Sequence, residues 1–148
     1  MEKLLSIDAL QQEIAEEFSF FDNWEDKYGY IIDLGKSLPE LDSSHKTESN
    51  KIKGCQSQVW LNSYLDNGKI FFEADSDASI VKGLISLLVR IYSGRTPDEI
   101  LNTELTVLEN IGMSQHLSPT RSNGLSAMVK QMKMRALAYK AKTSQTID

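Results

Sequence analysis

The segment LNSYLDNGKIFFEA, residues 61–74, contains the strongest local structural signal in the chain. Its Asn67-Gly68 pair supplies the two residues of positive φ that a type I′ turn requires, and such a two-residue turn fixes the register of the strands on either side. The predicted register pairs Leu65 with Ile70, Ser63 with Phe72 and Leu61 with Ala74. The sequence therefore predicts an antiparallel hairpin with one apolar face, which other elements must cover.

Helical periodicity surrounds this hairpin on both sides. The predicted helices cover about Ile7 to Phe18, about Asn23 to Ser37, about Ala78 to Tyr92, a short helix beginning at Thr96 and a last one opening at Ser118-Pro119. The third has an apolar arc too wide for a surface helix, so we expect it at the centre. In Thr96-Pro97-Asp98-Glu99, a capping box combines with proline at the first helical position. The fold class is therefore α+β, a small antiparallel sheet packed with several helices.

Composition limits the domain count and the partners. The 148 residues carry a formal net charge of -5, with 41% hydrophobic and 25% charged residues, as expected of a globular protein. No repeat or linker divides them, so we expect a single domain over residues 1–148 with a flexible tail after about residue 142. The negative charge argues against nucleic acid and membrane as partners. The absence of a long apolar run or signal-peptide pattern predicts a cytoplasmic protein.

The single cysteine, Cys55, is the residue on which the function depends. It cannot form an internal disulfide, so its thiol is either buried filler or a functional group. Lys51 and Lys53 would favour the thiolate, which is the form that attacks sulfur, and Gly54 would allow a backbone shape denied to larger residues. Free cysteine is often a small buried hydrophobe, so these residues alone leave both interpretations open.

The segment around this cysteine, Gly54 to Trp60 (GCQSQVW), resembles the signature loop of the SufE and CsdE sulfur-acceptor proteins. The resemblance continues in order along the chain at 23–28 (NWEDKY), 31–35 (IIDLG), 38–41 (LPEL), 75–78 (DSDA), 80–84 (IVKGL), 96–97 (TP) and 116–125 (HLSPTRSNGL). It covers nearly all of the chain from Asn23 to about Ala138. A match of this extent is far more specific than a lone motif.

The resemblance implies a fold shared with the IscU scaffold proteins, with helices packed around a three-stranded antiparallel sheet. It also implies that Cys55 receives a persulfide sulfur from a pyridoxal-phosphate cysteine desulfurase, SufS or CsdA, and stimulates that enzyme. In the SufS branch the sulfur then passes to a scaffold complex that contains SufB, for iron-sulfur cluster assembly. The pyridoxal phosphate belongs to the desulfurase, so this chain, an accessory protein rather than an enzyme, is expected to bind no cofactor or metal. Further residues that could support the loop or partner docking are Lys51, Lys53, Gly54, Gln56 and Arg121.

Other functional classes compete with this one. A cluster scaffold needs several thiolates or imidazoles, whereas this chain offers Cys55, His45 and His116. An independent thiol enzyme would need one of those histidines as a base near the thiol. An adaptor that activates a desulfurase by binding alone is the remaining alternative. Asp75 and Asp77 could form an acid pair, but their place before a helix favours capping. The chain does not distinguish the SufS branch from the CsdA branch, or a monomer from a homodimer.

Overall fold

The fold is known from a computed structural model, which describes residues 6–52, 58–107 and 119–145. These residues form helices α1 (Ile7–Ser19), α2 (Trp24–Lys36), α3 (Ser79–Tyr92), α4 (Pro97–Asn102) and α5 (Pro119–Gln145), and strands β1 (Val59–Asp66) and β2 (Lys69–Ser76). Two 3-10 turns, Ser43–His45 and Glu48–Asn50, lie between α2 and β1. The predicted α+β class is confirmed, and the predicted helix boundaries agree with these to within two residues.

The hairpin has the predicted register. Leu65 faces Ile70, Ser63 faces Phe72 and Leu61 faces Ala74 in the antiparallel pair β1–β2. Asn67 and Gly68 both have positive φ, 53° and 78°, as a type I′ turn requires. Among the described residues the sheet has two strands rather than three, and next to it Lys51 forms an isolated antiparallel bridge with Trp60.

Helix α3 is the central helix, because it packs against α2 on one side and against β2 on the other. Its buried residues are Ile80, Gly83, Leu84, Ile85, Leu87, Leu88, Ile91 and Tyr92. The close approach of α2 and α3 depends on two glycines. A Cβ at Gly35 would lie 2.7 Å from the backbone nitrogen of Gly83, and a Cβ at Gly83 would overlap the carbonyl oxygen of Ile31. Only residues without a side chain fit at this crossing.

Two further helices close the core. On α1, the buried amide of Gln11 donates to the Glu104 carbonyl (3.0 Å) and accepts from the N–H groups of Thr106 (2.7 Å) and Val107 (3.0 Å), which secures the chain after α4. The predicted capping box and proline at the start of α4 are confirmed. On α5 the buried face consists of Leu125, Met128, Met132 and Ala136. Within the described ranges, no helix combines the length and the apolar character that a membrane span requires.

The glycine contact between α2 and α3 can be tested by adding one methyl group. We expect Gly83→Ala to lower the free energy of unfolding by about 1–3 kcal/mol or more, because the new Cβ meets the Ile31 backbone. Gly29→Ala is the matched control, since Gly29 lies on the exposed side of α2 with no atom within 4 Å of its added Cβ. That change should stabilise the protein by up to about 1 kcal/mol. Urea denaturation measures both, and equal effects of the two substitutions would refute the packing argument.

Candidate functional site

Several of the residues predicted to act lie outside the described part of the chain. These are Lys53, Gly54, Cys55, Gln56 and His116. Arg121 lies in the first turns of α5, but its side chain also lies outside the description. The site is therefore defined by the residues that bound the cysteine segment, 53–57, on either side.

A pair of buried residues holds the two ends of the cysteine segment side by side. The Ile52 N–H donates to the Val59 carbonyl at 2.8 Å, and both side chains are buried in the core. The neighbouring residues continue this pairing, since Lys51 forms an antiparallel bridge with Trp60. Because the hydrogen bond joins core residues, the chain enters and leaves the cysteine segment at positions set by the core. Of the predicted supporting residues, the structure thus places Lys51 at the base of the segment.

Asp77 secures the second end of the segment. The Gln58 N–H donates to Asp77 Oδ1 at 3.0 Å, and the Asp77 N–H donates to the Gln58 carbonyl at 3.2 Å. The prediction that Asp75 and Asp77 cap the following helix was wrong. The N-cap of α3 is Ala78, without a side-chain hydrogen bond. Asp75 lies within β2, which extends through Ser76, and the Asp77 carboxylate accepts from Gln58 instead of from the helix. The reciprocal pair fixes Gln58 to the end of the hairpin.

Asp75 is the charged residue around which this end of the molecule is organised. Its carboxylate is buried, accepts hydrogen bonds from the N–H groups of Ser76 (2.8 Å) and Leu41 (3.2 Å), and forms ion pairs with Lys82 (3.3 Å) and Lys46 (3.4 Å). Burial raises the pKa of the Asp75 carboxyl. The hydrogen bonds from Ser76 and Leu41 and the Lys82 ammonium outweigh burial, so the pKa lies below its ordinary value. The carboxylate therefore stays charged at neutral pH.

Lys46 links Asp75 to the start of β1, next to the cysteine segment. Its ammonium lies 5.2 Å from the centre of the Trp60 ring, a cation–π contact, while it pairs with Asp75. The polar stretch from Leu41 to Lys46 is thereby held against the start of β1. Sequence reasoning missed this role of Asp75 and Lys46, since no local pattern shows that an aspartate near the end of a strand is buried between Lys46 and Lys82.

The described residues offer little to a metal ion. In 6–52, 58–107 and 119–145, no group of three or more histidine, cysteine, aspartate or glutamate side chains could hold one. His45 lies in a 3-10 turn, and its backbone carbonyl accepts a hydrogen bond from the Asn50 amide at 2.8 Å.

A solved structure has the same fold. The chain is similar to the solution structure of a hypothetical protein from Thermus thermophilus, with a TM-score of 0.71 over 90% of this chain and 96% of that one. The two sequences are 20% identical, so this likeness concerns the fold. It defines a class of small α+β proteins with a hairpin covered by helices.

Sequence relatives identify the family. Residues 12–136 match the SufE family, described as an Fe-S metabolism associated domain. An uncharacterized SufE-like protein of Rhizobium meliloti (strain 1021) is 41% identical over 129 residues, which cover 84% of this chain and 92% of that protein. A second uncharacterized SufE-like protein, from Rhizobium etli, is 43% identical over 129 residues, which cover 84% of this chain and 87% of that protein. The chain belongs to the SufE family, which confirms the resemblance found in the sequence.

The charge of Asp75 should make stability depend on pH. Its folded pKa is lower than the unfolded value of about 3.9, so its contribution is fully present above about pH 5 and is lost as the pH falls through the lowered folded pKa. We expect Asp75→Asn to lower the free energy of unfolding by about 1–3 kcal/mol near pH 7, because two ammonium groups lose their shared carboxylate.

The difference between wild type and Asp75→Asn should shrink as the pH falls below about 4, where Asp75 itself takes up a proton. Denaturant titrations at a series of pH values measure it. Asp22→Asn, which removes an exposed carboxylate, is the control and should differ little from wild type. A difference between wild type and Asp75→Asn that stayed constant to about pH 2 would contradict the assignment.

Proposed function

We propose that this protein is a sulfur acceptor for a pyridoxal-phosphate cysteine desulfurase of the SufS or CsdA type, and that Cys55 carries the sulfur. The observation that carries the proposal is that Cys55, the single cysteine of the chain, lies within the residues matched to the SufE family. The family is associated with iron-sulfur metabolism, which requires delivered sulfur. A thiolate is the side chain suited to accept sulfur as a persulfide.

The proposed transfer is a form of thiol–disulfide exchange. The Cys55 thiolate attacks the outer sulfur of a persulfide on the desulfurase cysteine. A new S–S bond forms at Cys55, the S–S bond of the desulfurase persulfide breaks, and its electron pair leaves with the desulfurase thiolate. No oxidant is consumed, because one persulfide is exchanged for another. The desulfurase is thereby ready for another turnover, and this chain acts as its accessory protein.

The arrangement around the cysteine segment supports such a role. The Ile52–Val59 hydrogen bond and the Gln58–Asp77 pair fix the chain on both sides of residues 53–57. Two fixed ends limit the region that the five residues between them can reach, which would help a docking partner to find the thiol. We assign to Lys51 and Lys53 the stabilisation of the thiolate and to Gly54, Gln56 and Arg121 the support of the segment or the contact with the partner. Cys55 would then pass its sulfur to a scaffold complex containing SufB, in the cytoplasm.

The test compares wild type with Cys55→Ser, each mixed with a cysteine desulfurase, L-cysteine and pyridoxal phosphate. We expect wild type to gain a mass of about 32 Da, one sulfur, localised to Cys55 and removed by a reducing thiol. Sulfide release by the desulfurase should rise with wild type and not with the variant. Intact-mass spectrometry and a sulfide assay give the two readouts, and thermal unfolding confirms that the serine variant is folded.

The adaptor alternative predicts a different result. If Cys55→Ser stimulates sulfide release as strongly as wild type, and neither protein gains sulfur, then binding alone activates the desulfurase. That outcome would reject the carrier mechanism while keeping the partner. Sulfur gain by wild type without any stimulation would instead separate acceptance from activation.

A further inference from the structure

A groove lies directly beside the base of the cysteine segment. It has a volume of about 560 Å³ and runs between the stretch Glu48–Ile52 and the middle of α5. Lys51 and Ile52, the last described residues before the cysteine segment, line one wall, and Lys130, Met134 and Arg135 line the other. The groove therefore reaches the residue at which the chain enters the cysteine segment.

The charge of Arg135 is the unusual feature of this groove. Its guanidinium donates to Ser63 Oγ at 3.2 Å and to Asn50 Oδ1 at 3.4 Å, and both acceptors are uncharged. Its partial burial lowers the pKa of the guanidinium. Burying a cation costs desolvation free energy, and neutral hydrogen-bond acceptors offset only part of that cost. An anion bound in the groove would offset more of it by pairing with the guanidinium.

The other arginines whose side chains are described do have carboxylate partners. Arg90 pairs with Glu17 at 2.6 Å and with Glu13 at 3.5 Å, and Arg95 pairs with Glu99 at 3.4 Å. In the described part of the chain Arg135 has no such ion pair. The fold thus supplies carboxylates to two arginines and leaves this one, at the groove, with its charge uncompensated.

The remaining lining fits an acidic partner. Lys51 and Lys130 add two further cations, and Glu48 is the one acidic residue among the described lining residues. The groove is therefore positively charged, whereas the whole chain has a formal net charge of -5. The positive charge is thus a local feature of this part of the surface. Met134, which is 52% exposed, offers apolar surface beside the cations. This combination suits a segment that carries carboxylates next to an apolar side chain.

We propose that this groove binds an acidic segment of the desulfurase and so positions the partner's persulfide next to Cys55. The inference rests on the proposed function. A carboxylate of that segment pairs with Arg135, while Lys51 on one wall of the groove and Lys130 on the other attract the segment electrostatically. Because Lys51 and Ile52 line the groove and Ile52 directly precedes the cysteine segment, a segment seated there brings the partner to the point where the chain enters the cysteine segment.

The experiment measures desulfurase stimulation as a function of the concentration of this protein, at low ionic strength. Lys130→Glu is the principal variant, since Lys130 is exposed on α5 and its replacement leaves the core intact. We expect the concentration for half-maximal stimulation to rise about tenfold, with the maximal rate retained. Arg135→Gln, whose amide can still donate to Ser63 and Asn50, should also raise the concentration for half-maximal stimulation. Thermal unfolding checks that this variant is folded.

Lys69→Glu is the matched control. Lys69 is exposed beside the hairpin turn, at the far end of β1 from the cysteine segment, and its replacement changes the net charge by the same amount. This variant should titrate like wild type. Added salt should weaken binding of wild type more than of Lys130→Glu, because the variant has already lost the attraction that salt screens.

The outcomes separate the groove from the proposed function. If wild type stimulates and gains sulfur while Lys130→Glu titrates like Lys69→Glu, the groove inference is overturned and the sulfur-acceptor proposal stands. If wild type neither stimulates nor gains sulfur, both proposals fail. If Lys130→Glu changes self-association in sedimentation analysis and leaves the half-maximal concentration unchanged, the groove binds a second copy of this chain and the inference is overturned.

Discussion

The close approach of α2 and α3 is the constraint on which the rest of the structure depends. Gly83 lies against the backbone of α2, so α3 can be buried on one side by that helix and on the other by β2. The apolar arc of α3 is thereby removed from water, and the hairpin has a surface to cover its inner face. A larger residue at this crossing would separate the layers that position the start of β1.

The end of the sheet next to the cysteine segment is held by polar contacts in addition to the packing of Ile52 and Val59. The buried Asp75 carboxylate accepts a hydrogen bond from the Leu41 N–H and forms ion pairs with Lys46 and Lys82. Asp77 forms a hydrogen bond with Gln58. A buried carboxylate with this number of partners is stabilising only when all of them are in place. Lys46 through Trp60 and Asp77 through Gln58 therefore both hold the chain where it leaves residues 53–57.

This arrangement suggests a division of roles within a small protein. The core and the Asp75 set define where the cysteine segment begins and ends, and the proposed groove beside it would recognise the partner. In the proposed transfer the persulfide and the pyridoxal phosphate would come from the desulfurase, so this chain would supply the accepting thiol. Placing recognition beside the reactive residue rather than on it would leave Cys55 free to exchange sulfur with both a donor and a recipient.

Local patterns in the sequence determined much of the architecture. The Asn67-Gly68 turn set the strand register, because a two-residue loop leaves a single alignment, and the capping box at Thr96 set the start of α4. The turn and the capping box operate between residues close in the chain, where spacing alone fixes the geometry. The family was indicated by a resemblance that runs in order from Asn23 to about Ala138, rather than by the loop around Cys55 alone.

Only the tertiary structure decided the roles of Asp75 and Arg135. From its position before a helix Asp75 was expected to act as a cap, yet it lies buried between lysines 29 residues before it and seven after it in the chain. The role of Arg135 appears only in the fold, where its guanidinium is held by Asn50 and Ser63 and has no carboxylate partner among the described residues. Burial and charge compensation arise from residues distant in sequence, so no local pattern can contain them.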